Sequence, residues 1–473
     1  MDINVNSHAK WFLTYRGKIS VVFEQIYPNF KVMDSTILAI FFLAFLSTIR
    51  AFDPCPSLEP ESENSDLSII HIYGKCSPFE SQKPTSSWTT TVLNMASKDH
   101  QRVAYLSTRL ATQFATPVPI APGQVVNIGN YVVRVKIGSP GQMMFMVLDI
   151  SADTAWVPCN GCTGCSSHVF TPNTSETYGP VECGTSECTQ VRGLSCPTTG
   201  ATTESCLFNQ SYGGDSSFSA TLSRDFLMLV NDTIPSYVFG CIGAVSGKSI
   251  PPQGLLGLGR GALSLLSQSG TFYDGVFSYC LPSFRSYYFS GTLRLGPVGQ
   301  PKSIKYTPLL KNQRRPSLYY VNLTGVSVGQ VKVPIAPELL ALNPTTGAGT
   351  IIDSGTVISQ FVPAAYNAIK EAFRNQTQGP FTSLGAFDTC FTVTHEDLAP
   401  KVTLHFTGLN IVLPMENTLI HSSAGSLACL AMASAPNNVN SVLNVIASLQ
   451  QQNLRVVFDT ANSRVGIARE SCN

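Results

Sequence analysis

Charge is scarce in this 473-residue chain: 12% of residues are Asp, Glu, Lys or Arg, and the formal net charge is +1. So neutral a surface offers no basic field to a polyanion, and nucleic acid is excluded as an expected partner. Long hydrophobic runs are scarce too. The clearest, Ile37 to Leu46 (ILAIFFLAFL), is too short to span a bilayer comfortably, so no stable membrane association is expected. Histidine is sparse, and none of the seven lies in H-E-x-x-H, which removes that zinc-hydrolase pattern. Gly214-Asp215-Ser216 lacks the paired His and strand context of a serine hydrolase. GLLGLGRG, Gly254 to Gly261, has no Lys-Ser/Thr after it, so it is no phosphate loop. No metal and no cofactor are expected.

Glycine and proline, by contrast, are plentiful. Thirty-six Gly and 30 Pro punctuate short apolar runs rich in Val, Ile, Leu, Phe and Tyr, which predicts an all-β chain. At this length two lobes, each with its own core, are expected. Asn130 to Asp149 reads as a hairpin: YVVRVKIG alternates, with Val133 and Val135 on one face and Arg134 and Lys136 on the other. After Ser139-Pro140-Gly141 the run MMFMVLD is apolar throughout, as a buried strand should be. Further strands are expected at Tyr237–Cys241, Gly291–Leu295, Tyr319–Val328, Val402–Phe406 and Leu454–Phe458. The one clear helix is Pro363 to Arg374, with Pro in its first turn and Ala365, Ile369, Ala372 and Phe373 on an apolar face. Pro297, Gly299 and Pro301 mark a hinge between the lobes.

Two short stretches carry the chemistry. IIDSGT, Ile351 to Thr356, and an imperfect echo, VLDISA, Val147 to Ala152, each set one Asp after two strand-forming residues and before small turn residues. Either acid alone reads equally as a turn or cap residue. A pair is different: two carboxylates within hydrogen-bond reach cannot both ionise, so they share a proton and divide the roles of general base and general acid. That is hydrolysis without a covalent nucleophile.

The surroundings of the two acids are specific as a set. Trp156-Val157-Pro158-Cys159 follows Asp149, and Gln360-Phe361-Val362-Pro363 follows Asp353. NQSYGGDSS, with Tyr212, and GLLGLGRG lie between, and NVIASLQQQNLRVVFDT lies beyond. In this order, from about Tyr131 to Cys472, the chain resembles the pepsin-like aspartic proteases, most closely their plant nepenthesin-like branch. The resemblance implies a bilobal acid-protease fold with lobes at 121–300 and 301–473, a cleft between them, polypeptide substrates and a monomer. It makes Asp149 and Asp353 catalytic and puts Tyr212 on a hairpin flap, with Gly213 and Gly214 for flexibility and Trp156 supporting its ring. The plainer readings are a surface Tyr and a core Trp. Ser354 and Thr356 become supports of the second acid.

The departures from that pattern fall on the first motif. Ile150 has no hydroxyl to reach the other lobe, leaving Ser354 alone to cross, and Ala152 cannot hydrogen-bond Asp149 as Thr356 can Asp353. Ser151 can compensate in part. Ala447 stands where glycine is usual. A second reading therefore stays open: a binding or inhibitor protein of the plant cell wall, resembling the plant xylanase-inhibitor proteins.

Residues 1–53 read as an N-terminal extension and a secretory signal with its apolar run at 37–46, initiation falling at Met33; a signal anchor is the alternative. Residues 54–120 are a linker by composition and a propeptide by resemblance. Two of the 14 Cys, Cys55 and Cys76, precede the lobes, leaving an even 12. Cys159, Cys162 and Cys165 have the C-x-x-C spacing of a metal site, but no fourth ligand follows, and a secreted chain favours disulfides. By resemblance the pairs are Cys183 with Cys206, Cys188 with Cys196, Cys165 with Cys241, Cys159 with Cys162, Cys390 with Cys429, and Cys280 with Cys472. Glycan acceptor tripeptides begin at Asn173, Asn209, Asn231, Asn322 and Asn375, Asn209 being the one its neighbour Tyr212 could hide. The resemblance implies a secreted setting, extracellular or vacuolar.

Overall fold

A computed structural model describes residues 116–122, 130–196, 204–212, 216–230, 232–283, 291–313, 315–384, 387–392, 399–421, 426–435 and 442–472. The signal reading, the propeptide reading up to residue 115, Cys55, Cys76, Gly213, Gly214 and Asn231 lie outside them; the end of the propeptide span lies in a strand, Thr116–Pro122, that pairs antiparallel with Gly291–Leu295 and with the start of Tyr131–Ile137. Within this range the chain is mostly β. The hairpin forms as its alternation requires: Tyr131–Ile137 pairs antiparallel with Gln142–Asp149, from Val132 opposite Val147 to Ile137 opposite Gln142. Val133 and Val135 are buried while Arg134 and Lys136 are exposed.

The two halves repeat one arrangement of strands. Gln142–Asp149 runs parallel to Leu255–Gly257, and the next strand, Ala155–Thr163, runs parallel to Asp232–Ser246. In the second half Gly349–Ile352 runs parallel to Leu443–Ile446, and Ser359–Phe361 runs parallel to Met432–Ser434. Each acid thus ends a central strand flanked on both sides, where the apolar runs MVL and TII are wholly buried. The lobes share a sheet in which Val276–Cys280 pairs with Leu454–Asp459 and Lys305–Leu310 pairs with Arg464–Arg469. Phe458 anchors this seam, stacked on Phe277 at 4.7 Å and edge-on to Tyr319 at 4.5 Å. The helix Pro363–Arg374 has the expected bounds and buries Ala365, Tyr366, Ile369 and Phe373. Among the described residues no helix is long and apolar enough to cross a membrane.

The 12 lobe cysteines are all disulfide-bonded, but four of the six expected pairings are overturned. Cys159 joins Cys241, because the parallel ladder sets Val157 beside Cys241 and brings the two Cα atoms to 5.5 Å. Cys162 then closes on Cys165 across a turn in which Gly161 and Gly164 both take positive φ. In the insertion the bridges interlace, Cys183 with Cys196 and Cys188 with Cys206. Burial sorts them: Cys188 and Cys206 are fully buried in the cluster around Trp156 and Phe208, whereas Cys183 and Cys196 meet at its rim. Cys280–Cys472 and Cys390–Cys429 pair as expected. Asn209 is exposed rather than hidden, as are Asn173 and Asn375, while Asn322 is half-buried and donates to Thr407.

One buried charge holds the shared sheet together. Arg455, 1% exposed, donates to both carboxylate oxygens of Glu470, to Thr292 Oγ1 and to Ser278 Oγ, tying three strands and the C-terminal segment. That pairing holds the Glu470 carboxyl below its ordinary range. Glu470→Gln leaves the guanidinium short of its counter-charge. The expected loss is about 2 kcal/mol, less than the roughly 3 to 5 kcal/mol of fully buried pairs, because 34% of the Glu470 side chain is exposed. A carboxyl with a lowered folded pKa stabilises above its unfolded value and ceases to as pH falls through the folded one. Urea melts should therefore show the gap between variant and wild type at pH 7 and its narrowing below about pH 4.

Candidate active site

Asp149 and Asp353 emerge at the ends of their strands at 5% and 6% exposure. Each loop is braced by the parallel neighbour beneath it. Leu258 N–H donates to the Asp149 carbonyl at 2.9 Å, and Asp353 N–H donates to the Ile446 carbonyl at 3.1 Å. GLLGLGRG lies against the first loop so closely that a Cβ on Gly257 would fall 2.3 Å from the Asp153 carbonyl oxygen, which explains its glycines without a phosphate.

The carboxylates are supported unequally. Oδ1 of Asp149 accepts from Ser151 N–H at 2.7 Å, Ser151 Oγ at 2.7 Å and Ala152 N–H at 3.2 Å, so its three donors converge on one oxygen. Asp353 is held at both, Oδ1 by Gly355 N–H at 3.0 Å and Oδ2 by Thr356 Oγ1 at 2.6 Å. Ser151 thus supplies the hydroxyl that Ala152 lacks, on the inner side of the turn.

The loops meet face to face. Ser354 Oγ accepts from Ile150 N–H at 3.3 Å and donates to the Leu148 carbonyl at 2.9 Å, crossing from the second half to the first. Ile150 returns nothing, its side chain being fully buried in the core. A Cβ on Gly355 would lie 2.9 Å from Asp149 Oδ2 and 3.0 Å from Oδ1, so only glycine lets the Asp149 carboxyl rest against the second loop.

Burial raises the pKa of both acids. For Asp149 three hydrogen bonds oppose the rise by stabilising the ionised form. Asp353 is pushed up to about 6, first by burial and then by the negative charge of Asp149. Both shifts run the same way, so the pair retains a proton in mild acid where isolated carboxyls would have lost theirs.

Tyr212 closes the hairpin of Leu207–Ser211 and Ser217–Leu229, its N–H donating to the Ser216 carbonyl at 2.8 Å. Its ring stands edge-on to Trp156 at 5.6 Å, and Trp156 is buried and packed on Phe218. Burial, and then the charges of Asp149 and Asp353, raise the Tyr212 hydroxyl.

Three groups escaped the sequence reading. Asp153 accepts from Gly261 N–H at 2.7 Å and from Ser317 Oγ, which Arg192 also reaches at 3.1 Å. Gln451 donates to the Asp353 carbonyl at 3.0 Å, its own oxygen accepting from Tyr279. Asn130 Nδ2 donates to the Gly355 carbonyl at 2.5 Å. Only Asp153, four residues past Asp149, carried any local signal.

Two lobes, each presenting one buried Asp to a shared cleft, define a class, and the comparisons agree with it. Residues 131–297 match the family described as xylanase inhibitor N-terminal and residues 318–469 the one described as xylanase inhibitor C-terminal. The chain belongs to these pepsin-like aspartic protease families. It is 58% identical over 450 residues to aspartyl protease AED3 of Arabidopsis thaliana, covering 93% of this chain and 100% of that protein. Aspartyl protease 25 of Oryza sativa subsp. japonica is 50% identical, covering 86% and 95%. Aspartic proteinase nepenthesin-1 of Nepenthes gracilis is 33% identical, covering 77% and 83%. Among solved structures, edgp superposes with a TM-score of 0.60 at 22% identity over 76% of this chain and 97% of that one, a likeness of fold.

Ser151→Ala removes one of the donors that stabilise ionised Asp149, so its pKa should rise. A hydrogen bond to a charged group is worth roughly 1.5 to 3 kcal/mol, which corresponds to about one pH unit or somewhat more. A carboxyl carbon NMR titration of the full chain checks this, with an unmoved Asp149 resonance the contrary result.

Proposed function

We propose that the protein is an aspartic endopeptidase that cleaves peptide bonds with a water activated between Asp149 and Asp353. The observation that carries this is the packing of the Asp149 carboxyl against Gly355, one turn from Asp353, with both acids buried. Water held between them loses a proton to ionised Asp149 as its oxygen attacks the peptide carbonyl. Protonated Asp353 donates to the developing oxyanion. Tyr212 closes over the substrate from the flap and, with its hydroxyl pKa raised, stays neutral throughout the acid range. No metal or cofactor enters these steps.

The reading extends to the whole chain. Residues 54–120 are released as a propeptide, the lobes run over 121–300 and 301–473, and the mature enzyme works in the apoplast or vacuole. Six disulfides and exposed acceptors at Asn173, Asn209 and Asn375 support an oxidising, secretory route. Ile150 and Ala152 favour the alternative of a protease-like binding or inhibitor protein.

Acidifying the secreted zymogen, then following cleavage of a denatured protein with and without pepstatin, decides between the two. Asp149→Asn should lower the rate about 1000-fold. The rate should fall as pH rises through about 6, because Asp353 then loses the proton it must donate. No cleavage from pH 2 to 7 by folded protein would falsify the protease reading and leave the binder. Ile150→Thr with Ala152→Ser should raise the rate up to about tenfold by restoring hydroxyl support; an unchanged rate would mean that other groups already replace those hydroxyls.

A further inference from the structure

We propose that Asn130 supplies, from the first lobe, the hold on the second acid loop that Ile150 cannot, and so acts as a positioning residue for Asp353. This deepens the protease reading and rests on it.

The two loops face each other with matching backbone. Ser354 Oγ bonds the Ile150 N–H and the Leu148 carbonyl across the seam. By the same correspondence a hydroxyl at position 150 would bond the Ser354 N–H and the Ile352 carbonyl. Ile150 instead points into the core at 0% exposure. Asn130 reaches the same loop one residue further on. Its amide donates to the Gly355 carbonyl at 2.5 Å from a position 225 residues away in sequence. The anchorage is firm, since the next residue, Tyr131, is 2% exposed and donates its hydroxyl to the Pro282 carbonyl at 2.7 Å.

The peptide that Asn130 grips is an informative one. The Gly355 carbonyl and the Thr356 N–H are two ends of a single planar group, and the Thr356 N–H helps to stabilise the Asp353 carboxylate. A donor on that carbonyl polarises the peptide and strengthens its N–H toward the acid. Glycine at 355, required by the approach of Asp149, gives this peptide freedom to swing, and Asn130 removes that freedom. The titratable groups around Asp353 are Asp149 across the cleft, Tyr212 above and Tyr279 below, and burial keeps both tyrosines neutral in acid.

A double-mutant cycle on the full chain tests the assignment, with Asn130→Ala and Ile150→Thr made singly and together. In the wild-type background Asn130→Ala should lower kcat about tenfold and move the alkaline limb of the pH profile upward, since ionised Asp353 loses support. In the Ile150→Thr background the same change should cost less than about twofold, because the added hydroxyl then holds the loop. Equal losses in both backgrounds, or an unmoved alkaline limb, overturn the proposal. Should the wild type neither cleave nor bind pepstatin, the protease reading fails on its own account. The hold is then judged by chemical-denaturation midpoints: a drop in the wild-type background that shrinks in the Ile150→Thr background supports it, and equal drops refute it.

Discussion

Two carboxylates buried side by side set the terms for the rest of the molecule. Neither ionises freely away from water, and together they cannot both carry charge, so the pair retains a proton where isolated acids would have lost theirs. Holding such a pair requires rigid backbone on both sides, since a shift of about 1 Å would let each acid find its own water. The fold meets that requirement by building the same support twice. Each acid ends a strand flanked by a parallel neighbour, Leu255–Gly257 or Leu443–Ile446, whose backbone then bonds the loop beyond the acid.

Duplication does not make the halves equal. Three donors converge on one oxygen of Asp149 and favour its charge, while its carboxyl rests against Gly355. Asp353 has three charge-stabilising hydrogen bonds as well, spread over both its oxygens, and the negative charge of Asp149 pushes its pKa up after burial has done so. Ile150 follows the same logic by a different route: its burial adds apolar packing to the first core while Ser354 alone keeps the hydroxyl link between loops. Substitution at 150 exchanges a polar tether for core volume, which preserves the fold and shifts the hold on the acids elsewhere.

Much of this was legible in the amino-acid order because it depends on local pattern. Alternation at Val133 to Lys136 located the hairpin, proline and an apolar stripe bounded the helix at Pro363–Arg374, and the two strand-then-Asp motifs located the acids. Connectivity was not legible. Cys159 meets Cys241 because a parallel ladder brings together residues 82 apart, and no spacing rule encodes that. The run Gln450-Gln451-Gln452 misleads in another way: three consecutive amides suggest a wet surface, yet all are 1% or 2% exposed. Gln450 and Gln451 are tolerated there because their donors reach backbone carbonyls, Gln450 those of Asn417 and Ala431, Gln451 those of Asp353 and Ile446. Asn130 left no trace either, since a lone amide before a strand is unremarkable until its distant partner is known.

Gln451 also explains why the seam between lobes bears on the chemistry. Its oxygen accepts from Tyr279, which lies on the strand Val276–Cys280 of the shared sheet, and its nitrogen donates to the backbone of Asp353. The amide cannot rotate without losing bonds at both ends, so Tyr279 fixes its orientation and through it the bearing of the second loop. Phe277, Tyr319 and Phe458 pack the same strand pair into a rigid block, braced behind by Arg455. The second acid is therefore referenced from below to the sheet that joins the lobes, and from across the cleft to the first lobe by Ser354 and Asn130. A relative movement of the lobes that opened the cleft would have to break one of these references. The cheapest to break is the exposed side, where Asn130 is only half-buried, and the costliest is the buried relay through Gln451. Opening should thus pivot about the shared sheet and leave Asp353 seated on its own lobe.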